Sequence, residues 1–346
     1  MSTDLPQPSH SLQSKRSEPM CDGRNRSLPC EDFTATIRVE DHLMTSSNPS
    51  SSELTTALQS LSNKRFLKWF FLVNAGIIIG LSWTGAIALL IPLLGFGGAL
   101  ISLVFAKWLA LKAHGIAVID PDKPGTDAAK QLLEMVTQLS ERAGLQVVPE
   151  VGIYESPDMN AFATGSSPKS ALVAFSSGLL DRMEPDQVRA VAAHEIAHIA
   201  NQDMLGIVLL QGIVNSIVLA VTLPLRLLQL ANGINRQPSA FYEVLLVITK
   251  TVATLALTFL GSLVVKAFSR EREYRADAYA AVLLGKEPMI GALRALEGDA
   301  EDAPPGQLEY ASFKISGRMS FSEIFSTHPP IEKRIGALEK ETYCPR

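Results

Sequence analysis

The sequence predicts a mostly helical α+β protein, in which a soluble domain with a small antiparallel sheet is joined to about four transmembrane helices. Three observations predict it. Phe66 to Ala110 is a 45-residue apolar stretch carrying only two charges, Lys68 and Lys107, each close to an end. A second apolar pair follows, uncharged from Met204 to Leu223 and holding only Lys250 between Val244 and Val265. The segments between and after these stretches have ordinary polar composition with helical and strand patterning. The averages agree: 47% of residues are hydrophobic and 19% charged, below the roughly 25% charged of soluble domains, and the mean hydropathy is +0.17. A net charge of −4, from 31 basic and 35 acidic residues, has none of the basic excess that nucleic acid demands, so no such partner is expected. Cys21, Cys30 and Cys344 lie near the chain ends and form no disulfide framework.

Residues 1–63 are rich in Ser, Pro, Asn and Thr without a sustained apolar run. Such a composition buries too little surface to offset its ordering entropy and reads as a disordered tail without a secretory signal. Residues 64–111 read as a two-helix transmembrane hairpin, because a bilayer core of ~30 Å takes about 20 helical residues per crossing. Ser82-Trp83-Thr84-Gly85 is the natural divider. The second transmembrane pair is expected over 204–265. Arg226 and Lys250 lie towards the ends beside its connection, where long side chains reach the interface. In a four-span layout nine basic residues share one side: Lys64, Arg65, Lys68, Lys107, Lys112, Lys266, Arg270, Arg272 and Arg275. Arg226, Arg236 and Lys250 lie on the other, which predicts that both termini and the soluble parts are cytoplasmic.

The soluble domain is thus expected in two parts, 112–203 and 266–346. Ala128 to Ala143 has helical patterning and stops at Gly144, as a C-terminal glycine would stop it. Val147 to Tyr154 and Ala161 to Phe175 are richer in β-branched and aromatic residues, with turn chemistry at Gly165-Ser166-Ser167-Pro168, and read as a small antiparallel sheet. Pro185 opens a helix that runs to about Asn201.

That helix contains His194-Glu195-Ile196-Ala197-His198. Residues four apart share a helix face, so both imidazoles reach one metal while Glu195 projects beside them and can hold a water. With the six histidines of this chain, chance would produce such a motif roughly 0.006 times. The surrounding Val191, Ala192, Ala193, Ile196, Ala197 and Ile199 describe a buried helix, where unpartnered imidazoles would be costly. A catalytic zinc needs a third protein ligand and an open fourth position. Glu273 and Asp277, four apart after the last apolar stretch, are candidates: Glu273 as ligand, Asp277 as the acceptor that fixes the tautomer of a ligand histidine. The same spacing also admits a solvated juxtamembrane helix. His328 is a candidate donor to the reaction's oxyanion, although His328-Pro329-Pro330 also suits a plain helix start. Asn160, Phe162 and Thr164 mark a strand that either presents an edge to extended substrate or serves only the sheet.

These residues resemble the HtpX family of membrane-bound zinc metalloproteases, relatives of the CAAX prenyl proteases. The resemblance covers roughly residues 66–340 and rests on His194 to Asn201 with Asp203, on Glu273-Tyr274-Arg275-Ala276-Asp277, on Asn160 to Gly165 and on Thr327-His328-Pro329-Pro330. It implies a gluzincin-type fold with one Zn²⁺ per subunit on His194, His198 and Glu273, and Glu195 as the catalytic residue. It also implies a cell inner-membrane protease of quality control and stress response. Its partners would be unfolded or damaged membrane proteins, the lipid bilayer and other quality-control proteases. A maturation protease for dedicated, for example prenylated, substrates and a non-catalytic zinc-containing scaffold remain the alternatives. The 63 residues ahead of the first span depart from the family pattern.

Overall fold

The computed structural model describes residues 87–235, 239–302 and 328–341. The expected N-terminal tail, the first helix of the hairpin and Thr327 lie outside the described residues. Among those described, three helices are long and apolar enough to cross a membrane: α1 (Ile87–His114), α5 (Asp203–Asn235) and α6 (Ala240–Leu284). Their outer faces leave Ile101, Val104, Phe105 and Trp108 of α1 and Leu255, Phe259 and Leu260 of α6 exposed. So large an apolar surface is a liability in water and ordinary solvation in lipid. Helix α5 lies between the other two and packs on both. Small residues allow that approach: a Cβ on Gly95 would fall 2.3 Å from Ser216 Oγ, and one on Gly261 would fall 2.2 Å from Val214 Cγ1.

The expected boundary near 265 does not interrupt the chain. Helix α6 continues for 45 residues, about 67 Å at 1.5 Å per residue, so the apolar helix and the helix carrying Glu273 are one rod. No helix breaker lies between them, and the change from apolar to charged residues alters solvation without altering backbone preference.

In the soluble domain, α2 (Asp127–Arg142) is close to the expected helix. Thr126 caps it by accepting a hydrogen bond from the Ala129 N–H, and Gly144, at φ +69°, terminates it. Val136 and Leu139 are fully buried beneath it.

The sheet is present but mixed, where an antiparallel one was expected. Strands β1 (Ala117–Val118), β2 (Glu150–Tyr154), β3 (Ala161–Thr164) and β4 (Leu172–Ser176) stand in the order β1-β2-β4-β3. β2 and β4 are parallel and the other two pairs antiparallel. The cause is residues 155–160, which carry the chain past the place where β4 is later laid. Ser176 and Ser177 hold that excursion: Ser176 Oγ donates to the Asp158 carbonyl at 2.7 Å and accepts from the Asn160 N–H at 3.0 Å, while Ser177 Oγ donates to the Ser156 carbonyl. Gly165, at φ +138°, then turns β4 back inside β3, with no room for a Cβ against the Ser170 carbonyl. The expected stretch Ala161–Phe175 is thereby split into two strands.

One face of the sheet, with Val151, Ala163, Val173 and Phe175, joins the main core formed with α2 and α4 (Pro185–Ala200). The other face, with Tyr154, Leu172 and Ala174, packs with Ile116 against Ala110 and Leu111 at the end of α1. Lys107 Nζ lies 2.7 Å from Glu150 Oε1 at the same junction. The sheet is therefore held between the helices of the soluble domain and a membrane helix. A 3-10 turn (Pro168–Ser170) and helices α3 (Ser177–Arg182), α7 (Lys286–Asp302) and α8 (Ile331–Glu339) complete the described elements.

Candidate metal centre

Helix α4 begins at Pro185, whose missing N–H costs nothing in a first turn, and Gln187 Oε1 accepts from the Glu184 N–H. Its middle is buried all round. Ala190, Ala192, Ala193, Ile196 and Ala197 are each at most 1% exposed, and the small residues let α6 pack closely alongside. His194, Glu195 and His198 are consequently buried, and α6 presents Glu273 and Asp277, each 2% exposed, from the facing side.

The donors converge. His194 Nε2 and His198 Nε2 are 3.2 Å apart, and Glu273 places its two oxygens 3.6 Å from the first and 3.7 Å from the second. Three corners of a tetrahedron around an ion with ~2.0–2.1 Å bonds are spaced about 3.3 Å apart. The far nitrogens carry the other half of the design. Asp203, the first residue of α5, sets Oδ2 2.6 Å from His198 Nδ1. Asp277 Oδ1 lies 3.0 Å from His194 Nδ1, in a bent approach. Both Nδ1 positions face carboxylates, and in the tautomer that protonates them both Nε2 positions direct lone pairs at one point beside a third carboxylate. Such an arrangement is repulsive unless a proton or a metal ion is shared there, and three buried donors within reach of one point fit a metal.

Substituting Asp203 by Asn keeps the shape but loses the charge that orients His198. A fall of ~10–100-fold in metal affinity is expected, read by chelator competition.

The electrostatics follow from burial against partners. Burial pulls the His194 imidazole down, but its contacts with Asp277 and Glu273 prevail and push it up to about 10. Burial would raise the Glu273 carboxyl, and His194 and His328 hold it well below the usual range. Asp277 is likewise lowered against burial, chiefly by Arg334. The sign for the metal is direct. A raised His194 is protonated at neutral pH without the ion, whereas coordination needs its lone pair. Metal binding at pH 7.5 should therefore release about one proton, and affinity should weaken about tenfold per unit as pH falls. Calorimetry in buffers of different ionisation enthalpy measures this.

The other sequence candidates lie around the centre. His328 stands half-exposed at its rim, with Nδ1 2.9 Å from Glu273 Oε2. Strand β3 is the sheet edge and packs on α4. Asn160 immediately precedes it. Phe162 faces away from His194, His198 and Glu273, in a cluster with His114 and Tyr154 at centroid distances of 5.4 and 5.7 Å. Thr164 ends the strand.

Two residues were missed as contributors. Asp203 entered the sequence reading only as part of the family resemblance, with no role assigned to it. Arg334 of α8 is 8% exposed and clasps Asp277 with Nε at 2.8 Å and Nη2 at 2.6 Å, while Nη1 lies 3.7 Å from Glu273. Its signal was present: Arg334 occupies the helical stripe of Ile331, Ile335 and Leu338, where an apolar residue belongs.

The comparisons with known proteins agree with this geometry. Residues 127–342 match the description of peptidase family M48. Protease HtpX of Tolumonas auensis is 40% identical over 259 residues, covering 74% of this chain and 87% of its own length. Protease HtpX of Yersinia enterocolitica is 40% identical over 295 residues, covering 83% and 98%. The crystal structure of S. mikatae Ste24p is alike in fold, with a TM-score of 0.50 at 16% identity, over 89% of this chain and 62% of that one. Matches of this extent make the chain a member of peptidase family M48, a metalloendopeptidase related to the HtpX proteases.

Proposed function

We propose that this chain is a zinc-dependent integral-membrane endopeptidase. It cleaves misfolded or damaged membrane proteins at the cytoplasmic face of the inner membrane, as part of quality control under stress. The observation that carries the proposal is the convergence of His194 and His198 of α4 with Glu273 of α6, a rod that is also an apolar helix of membrane-spanning length. A two-histidine, one-glutamate set suits zinc. The bias of nine basic residues against three supports the cytoplasmic placement of both termini and the protease domain.

His194, His198 and Glu273 would hold zinc, which when bound would supply Lewis-acid polarisation of the scissile carbonyl. Glu195 takes the proton of the attacking water and returns it to the departing amine. His328 sets Nδ1 2.9 Å from Glu273 Oε2, and with its ring carrying both protons it is assigned as donor to the developing oxyanion through Nε2. Asp203 and Asp277 orient the two imidazoles, and Arg334 holds Asp277.

Strand β3 is assigned as the substrate edge. The Ser176 N–H donates to the Asn160 carbonyl. Antiparallel alternation then makes Phe162 with Ala174 and Thr164 with Leu172 the hydrogen-bonded pairs. Asn160, Phe162 and Thr164 thus turn their backbone groups inward, and Ala161 and Ala163 turn theirs to the open edge. Pairing there reads backbone, not sequence, as a protease of damaged proteins requires. The substrates are extended segments of membrane proteins, with the bilayer and other quality-control proteases as partners.

The test uses the full chain purified in detergent with controlled zinc, offered one membrane protein in folded and in unfolded form. Cleavage of the unfolded form alone is expected. Equal cutting of both forms, or of neither, overturns the quality-control reading.

A further inference from the structure

We infer that the hollow beside His198 is a substrate side-chain subsite that accepts a small apolar group, alanine being the best fit. The inference rests on the peptidase reading above and names the substrate feature that the site selects. The hollow is walled on one side by Ala163 and the Gly165 turn, and on the other by His198, Ile199, Met204 and Leu205. It therefore touches a metal-binding imidazole and the edge strand at once. It has room for about one water-sized group, and its lining is mostly apolar.

Register explains what enters it. A peptide residue paired opposite Ala163 carries its Cβ on the same side of the sheet as the Ala163 side chain. That side belongs to the core shared with α4, because Ala163 is 4% exposed and packs there. The side chain of the paired residue accordingly points into the hollow. A methyl group fills it, whereas a longer chain meets Ile199 and Leu205.

Neither wall gives way easily. The turn is held at Gly165, where an added Cβ would meet the Ser170 carbonyl at 2.7 Å. The opposite wall is the joint between α4 and α5, where Gln202 adopts a left-handed φ of 55° with its N–H bonded to the Ile199 carbonyl. Met204 and Leu205 form the first turn of a helix anchored along its length by α1 and α6. A pocket that cannot widen discriminates by ~10–200-fold per unaccommodated methylene.

The experiment follows cleavage of peptides varied through Ala, Val, Leu and Phe at each of three residues on either side of the cut bond. One position should prefer Ala over Leu by at least tenfold in kcat/KM, and Leu205→Ala should relax that position alone. Leu205→Val serves as a milder enlargement in case the first variant folds poorly. The zinc-loaded Glu195→Gln protein should show the same ranking in Kd, which reads the pocket without turnover. Wild-type cleavage with no size ranking at any position, or relaxation of all positions alike, overturns the subsite and leaves the peptidase reading standing. Absence of both cleavage and binding overturns both together.

Discussion

Glu195→Gln is expected to lower kcat/KM by ~10³-fold or more while leaving the metal bound. Glu195 is not among the three converging donors, so its replacement takes nothing from the ion. Gln preserves volume and hydrogen-bonding capacity in a position only 9% exposed, which keeps α4 packed against the sheet and α6. What it cannot do is accept a proton from water, and a positioned general base contributes ~10²–10⁴-fold. Bound zinc near one per chain in both proteins, with cleavage by wild type alone, is the expected pair of results. Residual activity within tenfold of wild type would remove Glu195 from the chemistry. Loss of metal with loss of activity would mean that it acts through the site's integrity.

Arg334→Met is expected to cost ~3–5 kcal/mol of stability and to weaken the metal site. Methionine fits the apolar stripe of α8, so packing alone predicts little harm. The damage lies in Asp277, which is left 2% exposed without the guanidinium that holds its carboxyl below its ordinary value of 3.8. Its carboxyl then rises and no longer orients His194. Adding Asp277→Asn to Arg334→Met should recover part of the stability, because the uncompensated charge is gone, but should not recover metal affinity. Arg334→Lys should fall short of wild type, since an ammonium cannot span both carboxylate oxygens. The pH sign distinguishes this pair. A lowered carboxyl contributes stability above its unfolded value, which is lost only as pH falls through the lower folded one. In wild type the contribution is therefore complete at neutral pH and outlasts that of ordinary carboxylates in acid. Denaturant unfolding with chelator competition in detergent measures both quantities. An Arg334→Met protein within about 1 kcal/mol of wild type and equal in affinity would sink the assignment.

His194, Glu195 and His198 were legible because their relation lies within one turn of one helix, and the apolar neighbours showed that the helix is buried. The apolar stretches at 204–223 and 244–265 were legible for the same local reason. Glu273 and Asp277 were legible only as a pair on one face. Nothing in Ser269 to Asp277 states which helix that face meets, and a solvated reading fitted the spacing as well. Arg334 is 57 residues from the carboxylate it serves, and its clue, a charge in an apolar stripe, names no partner. The sheet shows the same division. Strand patterning marked β2 and β3 with β4, but parallel pairing of β2 with β4 is set by Ser176 and Ser177 holding residues 156–160 aside, which composition does not encode.

Periodicity, apolar length and the spacing of two histidines were therefore settled by local chemistry, since each depends on residues within a few turns of one another. Which carboxylate faces the histidines, which charge supports that carboxylate, the order of the strands and the continuity of α6 from apolar stretch to Glu273 were decided only by tertiary structure. Those features are contacts between distant segments. Their free energy comes from burying several groups together, and no single segment carries it.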